Sequence, residues 1–288
     1  MSALGDLAEL VRAPAALSVP GDVVAGAAAA GALGPRTAGL AGASVLLYWA
    51  GMAANDWADR RLDAVERPER PIPSGRVSPA TAFGLAAGLT AAGLGLAAVT
   101  GGRRAAAVAI PLAATIWGYD LAAKNTAAGP AVMAACRGLD VLLGATGGRP
   151  VRALPAALTV AAHTVTVTVL SRREVAGADT SLPLRTLAGT ALVAIVAARP
   201  STAPAARPAA ALPVALAGWY AARYGGAQAR VAADPSAGRV RAAVGAGITG
   251  LPALQGALTA RAGAGLLGLA VAAAAPLGRR LARKVSPT

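Results

Sequence analysis

Apolar runs, each close to the length of a bilayer span, follow one another along almost the whole chain with only short polar breaks between them. A continuous apolar run of roughly twenty residues is long enough to cross a hydrocarbon core of about 30 Å as a helix. The runs read as 14–33, 37–58, 79–99, 103–121, 129–148, 152–170, 184–199, 208–226, 240–259 and 262–278. The expected fold is therefore all-α, a polytopic bundle of nine to ten transmembrane helices. Hydrophobic residues are 56% of the chain and charged residues 14%, and alanine and glycine dominate the runs, so the helices can pack closely and leave a cavity between them. The ninth run is broken by Gly245, Gly247, Gly250 and Pro252, which leaves a broken or re-entrant helix open there. The first run does not read as a cleaved signal peptide, because Asp6 and Glu9 precede it and apolar character continues past any cleavage point.

The second run ends in Asn55-Asp56-Trp57-Ala58-Asp59-Arg60-Arg61-Leu62-Asp63. At helical pitch Asn55, Asp59 and Asp63 fall at i, i+4 and i+8, with Asp56 three before Asp59, so the amide and the three carboxylates can share one face. Hard divalent ions such as Mg²⁺ take a few carboxylate oxygens, keep some water and bridge to phosphate, so this spacing suits a metal that holds a diphosphate. A solvated loop neutralised by Arg60, Arg61, Arg67 and Arg70 is the bland alternative.

Charge orients the bundle. The loops on the motif's side carry most of the 27 lysines and arginines, which predicts a cytoplasmic motif in a plasma (inner) membrane. The net charge of +14 is spread over short loops and tails, with no basic stripe on a separate domain, so its partner is the lipid bilayer and not nucleic acid. The single cysteine, Cys136, lies in an apolar run and excludes an intramolecular disulfide and a thiolate metal cluster.

The longest polar loops, 59–78 and 171–183, lie on the motif's side and each follows an even-numbered run, as in a pseudo-duplicated bundle with facing loops over a central cavity. Tyr48, Trp49, Trp57, Phe83, Trp117, Tyr119, Trp219, Tyr220 and Tyr224 all fall near that end. They read either as an interfacial belt or as rings facing the cavity, where they would stabilise a passing carbocation. Arg137 and Asp140, three apart within the fifth run, are either a structural pair or part of a polar cavity wall. His163 reads as a satisfied intramembrane histidine or as a base for an acceptor. No nucleotide loop, zinc ligand set or Ser-His-Asp arrangement is evident.

The pattern of Asn55, Asp56, Asp59 and Asp63, followed by Arg67-Pro68-Glu69-Arg70-Pro71-Ile72-Pro73-Ser74-Gly75, closely resembles the first metal motif and following segment of the UbiA superfamily of intramembrane prenyltransferases. Tyr119 and Lys124 resemble the tyrosine–lysine element that closes that family's fourth span, and Leu182-Pro183-Leu184 resembles the stretch after its second motif. Ser171 to Gly177 looks most like the bacterial EboC-like subgroup. The resemblance covers most of the chain and implies one domain over residues 1–288, a helical bundle around a central apolar cavity, and two polar motifs at its mouth. It also implies Mg²⁺ as cofactor, an isoprenoid diphosphate as donor and a hydrophobic aromatic or lipid-like acceptor. Asn55, Asp56, Asp59 and Asp63 are the implied catalytic residues, Asp56, Asp59, Asp63, Glu174 and Asp179 the metal ligands, and Lys124, Arg137 and Arg172 the diphosphate partners.

The second motif departs from the family pattern. Glu174 can replace its first acid, Ala178 cannot replace the second, and Asp179 stands one residue off register. A working transferase with a weakened second site is the main expectation. A non-catalytic relative that binds or moves a lipid-like intermediate, and a terpene cyclase of the same fold, are the alternatives.

Overall fold

A computed structural model describes residues 3–12, 18–199 and 207–285, and the start of the first expected run, residues 14–17, lies outside them. The described residues hold eleven α-helices and no strand: α1 (Ala3–Leu10), α2 (Pro20–Ala30), α3 (Pro35–Glu66), α4 (Pro79–Gly118), α5 (Gly129–Gly144), α6 (Leu154–Ser171), α7 (Ser181–Ala198), α8 (Arg207–Tyr220), α9 (Gly226–Ala233), α10 (Ala237–Arg261) and α11 (Gly265–Val285).

Local chemistry sets several of these limits. Proline stands in the first turn of α2, α3, α4, α5 and α6, where its missing N–H costs nothing. Ser78 caps α4 by accepting a hydrogen bond from the Thr81 amide at 3.0 Å. Gly31 closes α2 in the left-handed region with φ 68°.

α4 covers two of the expected runs, and it is folded. Gly102 breaks it with φ 66° and ψ −157°, a conformation that favours glycine. The two arms return alongside each other, since the Phe83 and Trp117 rings lie 6.1 Å apart and the Trp117 indole donates to Thr90 Oγ1 at 3.1 Å. Counting these arms separately and α8–α9 as one rod, α2 to α11 follow the ten expected runs. α10 is a single 25-residue helix through Pro252, so the ninth run is neither broken nor re-entrant. Among the described residues, four helical stretches are long and apolar enough to cross a membrane by length and composition: Pro35–Glu66, Pro79–Ala123, Pro150–Ser171 and Ser181–Ala198. Outward-facing Ile110, Leu158, Leu192 and Ile195 give the bundle an apolar exterior. The chain is thus a multi-pass helical membrane protein.

Inside, small residues bring backbones together. A methyl group on Gly26 would collide with the Val141 carbonyl, and one on Gly144 with the Val23 carbonyl, so α2 and α5 touch main chain to main chain. Between lipid-bathed helices such packing replaces much of the hydrophobic driving force that water would supply.

The loops 67–78, 124–128, 172–180 and 234–236 gather at one end, called here the motif end. They are stitched to one another and to α1. Arg76 pairs with Asp6 at 2.6 Å and Glu9 at 2.7 Å, the Arg241 guanidinium donates to the Glu174 carbonyl, and the Ala178 amide donates to the Pro235 carbonyl. Two π turns stand at corresponding places in the two halves, Tyr119–Ala123 after α4 and Ala221–Gly225 between α8 and α9, in keeping with the expected pseudo-duplication.

Candidate functional site

α3 has 32 residues, about 48 Å at 1.5 Å per residue. Twenty of them suffice for the hydrocarbon core, so the segment from Asn55 onward emerges at the motif end. Asn55, Asp59, Asp63 and Asp56 occupy a sector of about 100° on this unbroken helix, one face with two flanks.

On the first flank, Arg70 Nη1 lies 3.2 Å from Asp56 Oδ1 and 2.8 Å from Asp63 Oδ2, and Arg12 Nη2 reaches Asp56 Oδ1 at 2.8 Å. Asp56 and Asp63 are buried. Arg12 comes from the end of α1 with φ 45°, outside the usual range for a non-glycine residue.

On the second flank, α3 meets the π turn after α4 in a two-rung ladder. Asn55 Nδ2 donates to Asp120 Oδ1 at 3.0 Å, and one turn on, Lys124 Nζ pairs with Asp59 Oδ1 at 2.6 Å. Apart from Asp59, the Lys124 ammonium is buried without a hydrogen-bond partner among the described residues, so donor capacity is left for an incoming anion. Asp120 escaped the sequence reading, although a lone carboxylate beside Tyr119 at the end of an apolar run was the available signal.

Behind this mouth lies a cavity of about 500 Å³. Val19, Met52, Met133, Val244, Ile248 and Leu251 make its apolar walls, Arg12 and Glu174 border it at the motif end, and Tyr48, Trp49 and Tyr119 face it. The other aromatics serve packing. Trp57 stacks near Phe83 at 5.0 Å, while Tyr220 and Tyr224 are buried against His163. Tyr48, Trp49 and Tyr119 thus follow the cavity reading, whereas Tyr220 and Tyr224 are core residues that follow neither.

Arg137 is on the cavity wall, and its Nε lies 2.8 Å from Asp22 Oδ2 on α2. Its Nη2 also donates to the Ser18 carbonyl at 3.1 Å, and Gln255 Nε2 holds the other Asp22 oxygen at 2.6 Å. Asp140 accepts instead from the Ser44 hydroxyl. Arg137 and Asp140 are therefore not each other's primary partners, and the Arg137–Asp22 pair both braces the bundle and lines the cavity. His163 Nδ1 lies 2.8 Å from the Tyr220 hydroxyl, a buried and satisfied histidine.

The second loop divides its acids. Glu174 borders the cavity, and burial pushes its carboxyl upward from the ordinary range while Arg241 and Arg67 pull it back. Asp179 Oδ1 accepts from the Ser181 amide, the Ser181 hydroxyl and the Leu182 amide, which caps the start of α7. These hydrogen bonds hold its carboxyl below the usual range. The structure thus uses Asp179 as a helix cap, and the off-register acid is not brought to the cavity. Arg172 donates to the carbonyls of Thr126 and Lys124, bracing the loop that carries Lys124.

The donor set is all oxygen, which suits a hard divalent ion. Among the described residues, no three carboxylates, imidazoles or thiols are gathered closely enough to hold a metal ion by themselves. Such donors fit Mg²⁺ in the way it is usually bound beside phosphates, with one or two carboxylates completed by substrate oxygens and water.

A helical membrane bundle with an acidic helix end and a basic collar at the mouth of an apolar cavity defines the class, and sequence comparison gives the family. The model of the UbiA prenyltransferase family matches residues 18–237, and the chain belongs to that family. A digeranylgeranylglyceryl phosphate synthase of Methanopyrus kandleri is 37% identical over 139 residues, 48% of this chain and 51% of that protein. A bacteriochlorophyll synthase 33 kDa chain of Rhodobacter capsulatus is 68% identical over 25 residues, 9% of this chain and 8% of that one. The matched stretch thus spans about half the length of the first of these relatives. Among solved structures, a digeranylgeranylglyceryl phosphate synthase matches with TM-score 0.66 at 16% identity, covering 91% of this chain and 99% of that one. The apo structure of a UbiA homologue from Aeropyrum pernix matches with TM-score 0.63 at 19% identity, covering 88% and 96%. The fold is shared with both.

Proposed function

We propose that this protein is an intramembrane prenyltransferase, one domain with its motif end in the cytoplasm, which moves a prenyl group from an isoprenoid diphosphate to a hydrophobic aromatic or lipid-like acceptor. The observation that carries this reading is the two-flanked acidic face of α3 set against Lys124, Arg12 and Arg70 at the mouth of an apolar cavity. Relatives whose names denote synthases of prenylated lipids and pigments support it.

One or two of Asp56, Asp59 and Asp63 at a time, with Asn55 and a weaker contribution from Glu174, would hold Mg²⁺ together with the donor's phosphate oxygens. The bound ion supplies charge compensation for the departing diphosphate. Lys124 is the first diphosphate contact among the protein's own cations, because its ammonium is buried beside Asp59 with protons to spare. Arg12 and Arg70 exchange part of their hold on the carboxylates for phosphate oxygens. Arg172 acts through the loop it braces. Arg137 is withdrawn from the diphosphate set, since Asp22 already meets its charge; it offers a polar contact deeper in the cavity. In the transfer, the allylic C–O bond breaks with its electron pair going to diphosphate, the acceptor's electron pair forms the new bond, and the acceptor loses a proton. The apolar walls keep water from the carbocation, and Tyr48, Trp49 and Tyr119 present electron-rich rings to the same space.

The fate of Asp179 favours one second reading, a carrier of a lipid-like intermediate, because the second loop brings only Glu174 to the cavity. Purified protein in detergent, supplied with Mg²⁺, prenyl diphosphates of several lengths and a panel of acceptors, separates the two. Prenylated product and pyrophosphate in equal amounts support the transferase, while bound lipid with no pyrophosphate across the panel supports the carrier.

A further inference from the structure

Asp120 is not among the residues that carry the resemblance, yet it is 6% exposed and meets α3 beside the acids. Resting on the metal-dependent reading above, we propose that Asp120 is a positioning residue that fixes the amide of Asn55 so that its oxygen, and not its nitrogen, is offered to the metal.

The chemistry is that of an amide beside a carboxylate. An asparagine has a donor end and an acceptor end, and either can face a neighbour that both donates and accepts. An ionised carboxylate only accepts. With Asp120 Oδ1 at 3.0 Å, the Asn55 nitrogen is committed to it and the oxygen is the free end. That oxygen belongs to the donor type a hard cation takes. Partners that orient metal ligands are worth about 10- to 100-fold in metal affinity.

Two features place Asp120. In the π turn Tyr119–Ala123 the Lys124 amide bonds the Tyr119 carbonyl at 2.9 Å, so Asp120 and Lys124 both meet α3, on Asn55 and Asp59. π turns recur at functional sites. One turn before Asn55 stands Gly51, where an added Cβ would lie 2.6 Å from Ile116 Cγ2 and 3.6 Å from Asp120 Oδ2. The glycine lets the end of α4 approach α3 closely enough for the Asn55–Asp120 bond.

The test titrates Mn²⁺ into purified protein without donor, follows free ion by electron paramagnetic resonance, and records thermal stability of the same samples. Asp120→Asn frees the amide to turn and is expected to weaken Mn²⁺ binding about tenfold with little change in melting temperature. The exchanged pair Asn55→Asp with Asp120→Asn keeps one amide–carboxylate bond and puts a carboxylate oxygen toward the ion, so affinity returns to the parent value or exceeds it. Gly51→Ala should weaken Mn²⁺ binding as Asp120→Asn does. Parent-like Mn²⁺ affinity in Asp120→Asn, in a parent whose binding is lost on Asp59→Asn, overturns this inference alone. A parent that binds no Mn²⁺ overturns the metal-dependent reading and this inference with it.

Discussion

Lys124 Nζ stands 2.6 Å from Asp59 Oδ1, so the residue that follows the π turn of α4 is tied to the middle acid of α3. The pair joins the two recognised motifs physically, and it puts the ammonium against the acidic face of α3. Because Lys124 has no other hydrogen-bond partner among the described residues, the pair can open toward a diphosphate without stripping the ammonium of established bonds.

Lys124→Met should therefore act mainly on donor binding. A charge-assisted hydrogen bond to phosphate is worth about 2 kcal/mol, roughly a thirtyfold rise in donor KM. Steady-state kinetics in detergent measures it. A fall in kcat at constant KM would assign Lys124 to the transfer step instead.

The Arg137–Asp22 pair gives a stability prediction. Asp22 is fully buried and Arg137 nearly so. Removing one partner leaves a buried charge uncompensated, so Arg137→Leu or Asp22→Leu should each destabilise by about 3–5 kcal/mol, and the double variant by less than either single one. Reversible unfolding of the three variants in mixed detergent tests this ordering.

Ala178→Asp does not rebuild the second motif. An acid at 178 would pair with Glu174 only if residues 174–178 formed a helical turn, whereas Gly177 has φ 77° and the Ala178 amide bonds the Pro235 carbonyl at 2.9 Å. Ala178 packs beside Leu182 against the cluster of Leu170, Val231 and Val240. The substitution should cost about 1–3 kcal/mol in stability and leave the Mg²⁺ requirement unchanged. A lower Mg²⁺ requirement would show that the loop becomes helical when metal is bound.

pH separates the two acids of this loop. The Asp179 carboxyl is held below its ordinary range, so its cap stabilises α7 above that range and is lost as pH falls through the depressed value. Asp179→Asn keeps the cap, and its melting temperature should fall less between pH 7 and pH 3 than the parent's. Glu174 is shifted the other way by burial, so it takes up a proton sooner on acidification. Its help to metal binding should therefore fade above the ordinary carboxylate range, and Glu174→Gln should remove that part of the pH dependence.

Much of this arrangement was readable in the sequence because charge is costly in an apolar run. Asn55, Asp56, Asp59 and Asp63 stand out for that reason, and one helical period was enough to put them on one face. The small-residue runs likewise announced close packing and a cavity. Partners were harder. Asp22 is a single charge in its apolar run and Arg137 has Asp140 as its obvious neighbour in another, so only the crossing of α2 and α5 reveals the Arg137–Asp22 pair. Asp120 was hidden by the π turn, since α-helical spacing does not describe the face on which its residues fall. Asp179 looked like a displaced ligand, because the spacing of acids does not reveal that Ser181 and Leu182 supply three donors to it.

The central claim is that the acidic face of α3 drives diphosphate chemistry. Pyrophosphate release against Mg²⁺ concentration, with a prenyl diphosphate and an accepted acceptor, tests it in the parent, Asp59→Asn and Glu69→Gln. Asp59 lies on the ladder to Lys124, whereas Glu69 is exposed in the adjoining loop. The account predicts that Asp59→Asn loses roughly a hundredfold or more in kcat/KM while Glu69→Gln follows the parent curve; equal losses in both variants, or release by Asp59→Asn at the parent rate, would contradict it.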